Sequence, residues 1–141
     1  GLYERFTWDQ RKDYTTMAAH DAAASMWKRT KLTPKDVDVA QLYDGFSYLT
    51  VQWIEALGFC KQGEVGKFIE GGHRIALDGD LPLNTNGGQL SAGRLHGYGF
   101  IHEACTQLWG EGGERQAKKD VKVAVAAAGG GPIAGSILLS I

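Results

Sequence analysis

The chain has 141 residues, 43% of them hydrophobic and 22% charged, which is the composition of a globular domain with a substantial core. Its formal net charge of −1 gives no electrostatic reason to expect nucleic acid or a membrane surface as a partner. No apolar run approaches the roughly 20 residues of a membrane-spanning helix, and the first residues lack the pattern of a signal peptide. We therefore expect a cytoplasmic protein. Two cysteines and no zinc-ligand spacing of His and Cys predict neither a disulfide framework nor a metal site.

The first half of the chain predicts a helix, a strand and a second helix. From Thr15, apolar residues recur at i, i+3 and i+4 up to Thr30, and Thr33-Pro34 ends that helix. Alternation over residues 37–43 predicts a strand. A helix over residues 46–57 follows, with Phe46, Leu49, Trp53 and Leu57 on one face. A short helix over 63–70 and a loop complete this half.

The second half begins with a glycine-rich loop, NTNGG at 84–88, and then predicts a helix and two strands. The helix starts near Ala92 and ends at Gly110, and its predicted apolar stripe consists of Leu95, Tyr98, Ile101, Cys105 and Leu108. Residues 121–128 and 133–141 are predicted to form an antiparallel pair, buried on both faces and joined by a glycine turn. The whole predicts one α/β domain over residues 1–141, a mixed sheet with helices on its faces.

Two glycine-rich motifs resemble the C-terminal half of a thiolase: residues 84–110, which begin NTNGG, and AAAGGGPIAG at 126–135. In that family an Asn-x-x-Gly-Gly loop carries a catalytic Gly-His-Pro, and a later Cys-x-Gly-Gly-Gly supplies a catalytic cysteine. Here Arg94 replaces the histidine, Leu95 the proline and Ala127 the cysteine. The resemblance implies half of a layered αβαβα thiolase-like scaffold whose chemistry is not thiolysis.

Residues 32–72 are similar to the sterol-carrier type of thiolase. Such thiolases carry Asn-Glu-x-Phe or His-Asp-x-Phe after a strand, and the first residue helps to hold a catalytic water. The corresponding motif here is Tyr43-Asp44-Gly45-Phe46. A complete thiolase has two halves, and its acyl-accepting cysteine lies in the N-terminal one. The matched part starts after the first strand of the C-terminal half, so the resemblance implies an N-terminal half in the same chain or in another.

Thiolase-like aldolases of steroid side-chain degradation keep this scaffold but use tyrosines as acid and base groups. Arginine does not accept a proton at ordinary pH and alanine carries none, so the thiolase route is closed in this half. Two tyrosines stand in suitable places. Tyr48 opens the second helix, and Tyr98 lies between Gly97 and Gly99 just beyond the family's catalytic loop. The alternative for Tyr98 is a core aromatic on the helix stripe.

The remaining candidate side chains each have a structural alternative. Asp44 is a catalytic carboxylate by its place in the family motif, or a helix N-cap. Tyr43 is catalytic by the same motif, or an aromatic that packs at a strand end. His96 is a replacement acid or base two residues past the lost histidine, or an exposed loop residue. Arg94 binds a phosphate of coenzyme A, pairs with a carboxylate, or is a surface arginine.

Five glycines are candidates for substrate binding through the backbone: Gly87, Gly88, Gly129, Gly130 and Gly131. In the family this backbone approaches the substrate thioester. We expect its amides to hold the oxygen of an enolate. Structurally, the same glycines indicate tight turns.

The function that follows is retro-aldol cleavage of a β-hydroxyacyl-CoA, a steroid side chain included, through a thioester enolate. Tyr48 or Tyr98, with Asp44 or His96 nearby, removes the proton of the β-hydroxyl group, and a second group protonates the enolate carbon. Coenzyme A enters as part of the substrate, and no other cofactor is expected. The alternatives are an acyltransferase with its nucleophilic cysteine in the other half, and a non-catalytic acyl-CoA-binding or lipid-binding subunit. The resemblance also implies a homodimer and a small zinc-containing OB-fold partner.

Overall fold

A three-stranded mixed sheet organises the part of the chain that the structure, a computed structural model, describes: Asp13 and residues 15–141. Its strands are β1 (Val39–Leu42), β2 (Val123–Gly130) and β3 (Ile133–Ser140), in that spatial order. β1 runs parallel to β2, with Leu42 opposite Ala127, and β2 pairs antiparallel with β3. The predicted α/β class, the mixed sheet and the C-terminal antiparallel pair are confirmed.

Five α-helices accompany the sheet in the described residues: α1 (Ala18–Trp27), α2 (Ser47–Ala56), α3 (Val65–Ile69), α4 (Gly88–Ala92) and α5 (Tyr98–Leu108). Helix α1 begins three residues later than predicted because the carboxylate of Asp13 accepts hydrogen bonds from the N–H and hydroxyl of Thr15. Phe46 precedes α2 as its N-cap residue and is 72% exposed, so its predicted place within the helix, on one face with Trp53 and Leu57, is wrong. None of the described helices is both long and apolar enough to cross a membrane.

The helices cover the sheet on two faces because successive strand residues point to opposite sides. Val125 and Ala127 face one way, where they join a core with α1 and α2 that includes the fully buried Trp53. Ala124 and Ala126 face the other way, where they pack against α5. Burial of a large apolar side chain contributes roughly 1.5–3 kcal/mol. The helices on both faces therefore stabilise the sheet.

Helix α5 differs from its prediction in both its start and its buried face. Gly93 and Gly97, each with φ of 97°, and His96, with φ of 48°, interrupt the predicted helix, so α4 and α5 are separate. The buried stripe then has i, i+3, i+4, i+7, i+8 spacing and consists of Phe100, Glu103, Ala104, Gln107 and Leu108; Thr106, beside it, is buried as well. Two members of the predicted stripe, Leu95 and Tyr98, are 62% and 76% exposed. The sequence stripe was wrong because it counted apolar residues only.

Strand β3 is buried on one face, not on two as predicted. Ala134 and Leu138 pack into the core beside α1, whereas Ile133 and Ile137 are 55% and 41% exposed. Helix α5 lies mainly over β1 and β2 and covers little of the edge strand β3, of which Leu139 packs against the α5 cluster. The prediction is correct for β2, whose first five residues are buried.

Candidate active site

Three segments that are far apart in sequence meet at one edge of the sheet, which we call the carboxyl edge. β1 and β2 are parallel, so their carboxyl ends lie at the same edge. Leu83 forms a parallel bridge with Ala40, which brings the following loop, residues 84–88, to that edge as well. In open α/β sheets this is where ligands bind. The carboxyl edge therefore gathers residues 43–44, loop 84–88 and turn 128–131.

The loop is fastened to β1 by its first residue, Asn84. Its side-chain oxygen accepts the N–H of Leu42 at 2.7 Å, and its amide nitrogen donates to the carbonyl of Leu42 at 2.9 Å. Its backbone N–H donates to the carbonyl of Ala40 at 2.9 Å. Asn84 has φ of 48°, a conformation that asparagine tolerates better than most residues. Sequence reasoning missed this role, although the loop's opening asparagine was visible.

Asp44 holds the other end of the same loop. The residue is 7% exposed, and its carboxylate accepts the N–H of Gln89 at 2.8 Å and that of Leu90 at 3.4 Å. These are amides of the first turn of α4, so Asp44 caps that helix and not α2, which follows it in sequence. The carboxylate comes so close that a β-carbon on Gly88 would lie 2.7 Å from its Cγ. The expected N-cap is therefore present, but on a different helix.

The amides of the loop glycines already have partners within the chain. The N–H of Gly87 donates to the carbonyl of Asn84 at 2.8 Å, and the N–H of Gly88 donates to Oδ1 of Asn86 at 2.9 Å. We expected these two groups to hold an enolate oxygen, and in this conformation neither is available for that. Their glycines serve the turn itself, with φ of 90° and 64°.

The second glycine segment is anchored to both helices beneath it. The N–H of Gly131 donates to Sδ of Met17 at 3.0 Å, and its carbonyl accepts the N–H of Ala18 at 2.9 Å. The carbonyl of Gly129 accepts the indole N–H of Trp53 at 2.8 Å. Gly130, with φ of 150°, lies between them and close to a side chain of α2. The Gly131 amide, like those of Gly87 and Gly88, is therefore not available to an enolate oxygen in this conformation, and the hydrogen bonds attach the turn to α1 and α2.

Tyr98 and His96 line a cleft whose wall is formed in part by β2. The cleft has a volume of about 380 Å³, and Ala127 contributes to its lining. Tyr98 is the first residue of α5, and His96 precedes it in an exposed, left-handed conformation. Tyr98 also lines a second cleft of about 580 Å³, together with Gly88. The structural alternative for Tyr98, a buried core aromatic, is wrong.

The other candidates occupy less central places. Tyr43 is half-buried and packs edge-on against Phe100, with 6.2 Å between ring centroids and 60° between planes. Tyr48, on the first turn of α2, is 43% exposed and lines neither cleft. Arg94 is exposed in the connection between α4 and α5. The structure thus brings Tyr98 and His96 together and leaves Tyr48 outside their clefts.

A buried polar network behind loop 84–88 was missed by sequence reasoning. The hydroxyl of Thr85 donates to Oε1 of Glu103 at 2.6 Å and accepts from Nε2 of Gln41 at 2.9 Å. Gln107 Nε2 donates to the same Glu103 oxygen at 2.9 Å, and Arg115 Nε lies 3.1–3.2 Å from both carboxylate oxygens. The available signal was polar residues four apart on a helix, at positions of the true buried stripe.

The titratable groups of this edge form no metal site. Within the described part of the chain, no group of three or more His, Cys, Asp or Glu side chains is placed to hold a metal ion. Cys60 lies elsewhere, in a cleft with Lys61 and Arg74. Burial, together with the charges of Glu55 and Glu64, raises the pKa of its thiol to about 11.

Comparison with known proteins shows the family to which the chain belongs. The sequence model of the thiolase C-terminal domain-like family matches residues 3–139. The chain belongs to this family. It is 46% identical over 85 residues to a 17-hydroxy-3-oxo-4-pregnene-20-carboxyl-CoA lyase of Mycobacterium tuberculosis, covering 60% of this chain and 22% of that protein. It is 38% identical over 110 residues to an acetyl-CoA acetyltransferase of Methanothermobacter thermautotrophicus, covering 75% and 28%.

A solved structure resembles the described fold closely. A chain of the Ltp2-ChsH2(DUF35) aldolase superposes with a TM-score of 0.84 at 34% identity, covering 93% of this chain and 34% of that one. The thiolase-like fold is therefore confirmed. The chain spans only about a fifth to a third of the length of these relatives. The relatives therefore show its family and its fold.

Proposed function

We propose that this protein cleaves a carbon–carbon bond of a β-hydroxyacyl-CoA by a retro-aldol reaction. The observation that carries the proposal is the composition of the Tyr98 cleft. Tyr98 and His96 are the acid–base side chains that line it, and Ala127, where thiolases have a catalytic cysteine, lies in the adjoining strand with its side chain facing the core of α1 and α2. A CoA lyase and an aldolase among the similar proteins support the same reaction class.

Tyr98 and His96 divide the proton transfers in this proposal. One of them removes the proton of the substrate's β-hydroxyl group, and the bond between the α- and β-carbons breaks. Its electron pair passes to the thioester, which becomes an enolate, while the β-carbon leaves as a ketone. The other group returns a proton to the α-carbon, which gives a shortened acyl-CoA. Proton gain and loss balance, and no oxidant or free thiol is consumed.

The amides of Gly87, Gly88 and Gly131 have partners within the chain, so in this proposal a side chain takes the place of these three amides at the enolate oxygen. Arg94 is the nearest cation along the sequence to His96, and it is exposed. A guanidinium group stabilises either a developing oxyanion or a phosphate of coenzyme A. Asp44 supports the reaction by fixing α4 and through it the segment that carries Arg94.

The requirement for free coenzyme A distinguishes this reaction from thiolysis. Thiolysis consumes free coenzyme A, whereas retro-aldol cleavage needs none. The purified protein, with its natural partner subunits, is incubated with a β-hydroxyacyl-CoA whose β-carbon carries two further carbon substituents, and products are followed by mass spectrometry. We expect ketone and shortened acyl-CoA in equal amounts without added coenzyme A. A β-ketoacyl-CoA is tested in parallel, because thiolysis cleaves a β-ketone and retro-aldol cleavage needs a β-hydroxyl group. Cleavage of the β-ketoacyl-CoA only, and only with free coenzyme A, would instead support an acyltransferase, the alternative favoured by the acetyltransferase relative.

Substrate binding without turnover would support the third alternative, a non-catalytic acyl-CoA-binding or lipid-binding subunit. The similar aldolase is named for two proteins, so we include a second, different subunit in the proposal. A small zinc-containing OB-fold protein is the partner that the family resemblance implies, alongside a homodimer. Co-purification of the natural assembly followed by native mass spectrometry tests both.

A further inference from the structure

We infer that Thr85 and Glu103 are positioning residues that fix Tyr98 relative to loop 84–88. The inference rests on the proposed function, because it assigns them an effect on the reaction through Tyr98. Neither touches the clefts that Tyr98 lines. Thr85 is 9% exposed and Glu103 is 1% exposed, so their contact lies inside the protein.

In the hydrogen bond between Thr85 and Glu103, Thr85 is the donor. A hydroxyl group has a single proton, and Thr85 donates it to Oε1 of Glu103 at 2.6 Å. Its lone pairs are thus left for Gln41 Nε2, 2.9 Å away. One continuous line of hydrogen bonds therefore joins β1, the loop and α5. A short bond to a carboxylate is stronger than one between neutral groups.

Glu103 is held from its other side as well. Arg115 contacts both of its carboxylate oxygens, and Gln107 donates to one of them at 2.9 Å. Gln107 in turn accepts the N–H of Ala117 at 2.9 Å. Removing a hydrogen-bond donor from a buried carboxylate lowers the free energy of unfolding, because the charge is then left partly unpaired. The helix cannot slide or rotate past the loop without breaking these contacts.

Tyr98 is rigidly connected to Glu103 through α5. The two residues are five positions apart on the same helix, which is about 7.5 Å along its axis at 1.5 Å per residue. Before Tyr98 the backbone is irregular, with left-handed conformations at Gly97 and His96. The helix side is therefore the firm attachment of the tyrosine, and Glu103 sets its place against loop 84–88.

Thr85→Val tests the link, because valine keeps the shape and removes the hydroxyl. Thr85→Ser should restore it. The matched control is Thr106→Val on the same helix, whose hydroxyl donates only locally, to the carbonyl of His102 at 2.9 Å. We expect Thr85→Val to lower kcat roughly tenfold or more with KM little changed, since misplacement of a reacting group affects the transition state most. Thr85→Ser and Thr106→Val should stay close to wild type.

The same substitution is then made in the Tyr98→Phe background. If Thr85 acts through Tyr98, Thr85→Val should change the residual rate little there. An equal fold loss in both backgrounds would overturn the inference, as would equal effects of Thr85→Val and Thr106→Val on kcat in the natural background.

Hydrogen exchange keeps the inference testable if the protein cleaves no acyl-CoA. We expect Thr85→Val to speed amide exchange of residues 84–90 and of the first turn of α5 at least about fivefold, through easier local opening. Thr106→Val should leave these amides unchanged. Unchanged exchange in Thr85→Val would overturn the inference, whereas an inactive wild type with faster exchange in the variant would overturn only the proposed function.

Discussion

Replacing Gly88 by alanine tests how tightly Asp44 holds the loop at the carboxyl edge. Gly88 has φ of 64°, where L-residues are strained by about 1–2 kcal/mol. A β-carbon there would also lie 2.7 Å from Cγ of Asp44 and 2.9 Å from Nδ2 of Asn84. Both of those side chains are fixed by hydrogen bonds to backbone, so neither yields freely.

The expected loss of stability combines the two effects. The backbone strain costs about 1 kcal/mol. Moving Asp44 away weakens its bonds to the amides of Gln89 and Leu90, and a hydrogen bond to a charged group contributes about 1.5–3 kcal/mol. We therefore expect Gly88→Ala to lower the free energy of unfolding by roughly 3 kcal/mol. Since m in urea is about 1–3 kcal/mol per molar for small proteins, the midpoint should fall by about 1 M or more.

Gly113→Ala is the matched control. Gly113 has φ of 60°, nearly that of Gly88, but a β-carbon there meets no atom within 4 Å. Its loss should be about 1 kcal/mol, from strain alone. Urea denaturation followed by circular dichroism measures both variants. Equal losses would show that Asp44 and Asn84 give way without cost, and the account of a clamped loop would be wrong.

Two further predictions concern reactivity. Because the pKa of Cys60 is raised from 9.0 to about 11, its thiolate fraction at pH 8 is roughly a hundredfold below that of an ordinary thiol. The rate at which iodoacetamide labels Cys60 should therefore rise about tenfold per pH unit up to about pH 11. The Cys60→Ser variant assigns the labelled site, and fast labelling of Cys60 at pH 8 would contradict this prediction. The double variant Arg94→His with Ala127→Cys restores two family side chains but not the proline at Leu95, so acetoacetyl-CoA thiolysis should stay at trace level, and robust thiolysis would show that the site kept thiolase geometry.

The sequence predicted the main elements of the fold because their signals are local. Periodicity located α1, α2 and β1 to within a few residues, and two apolar runs joined by a glycine turn located β2 and β3. It also predicted the thiolase-like α/β class. What it could not show was which face of α5 is buried. That face contains Glu103 and Gln107, whose burial depends on partners from Thr85 and Arg115, distant in sequence.

The candidate site was predicted in part. The motifs indicated loop 84–88 and the turn at residues 129–131, and the parallel strands bring both to the carboxyl edge. The spatial relation of the two candidate tyrosines depended on tertiary packing. Tyr98 opens α5 beside a cleft, whereas Tyr48 lines neither cleft of Tyr98. A local sequence pattern also could not predict that Asp44 binds the first turn of α4, because Asp44 and its partner Gln89 are 45 residues apart.

The rate of the Tyr98→Phe variant tests the central claim most directly. Phenylalanine removes one oxygen atom from a side chain that is 76% exposed, so the folded structure and melting temperature should change little. If the Tyr98 hydroxyl transfers a proton, kcat for cleavage of a β-hydroxyacyl-CoA should fall roughly a hundredfold or more, the usual contribution of general acid–base catalysis. A variant that cleaves its substrate at the wild-type rate would contradict the account and move the proton transfer to His96 or Tyr48.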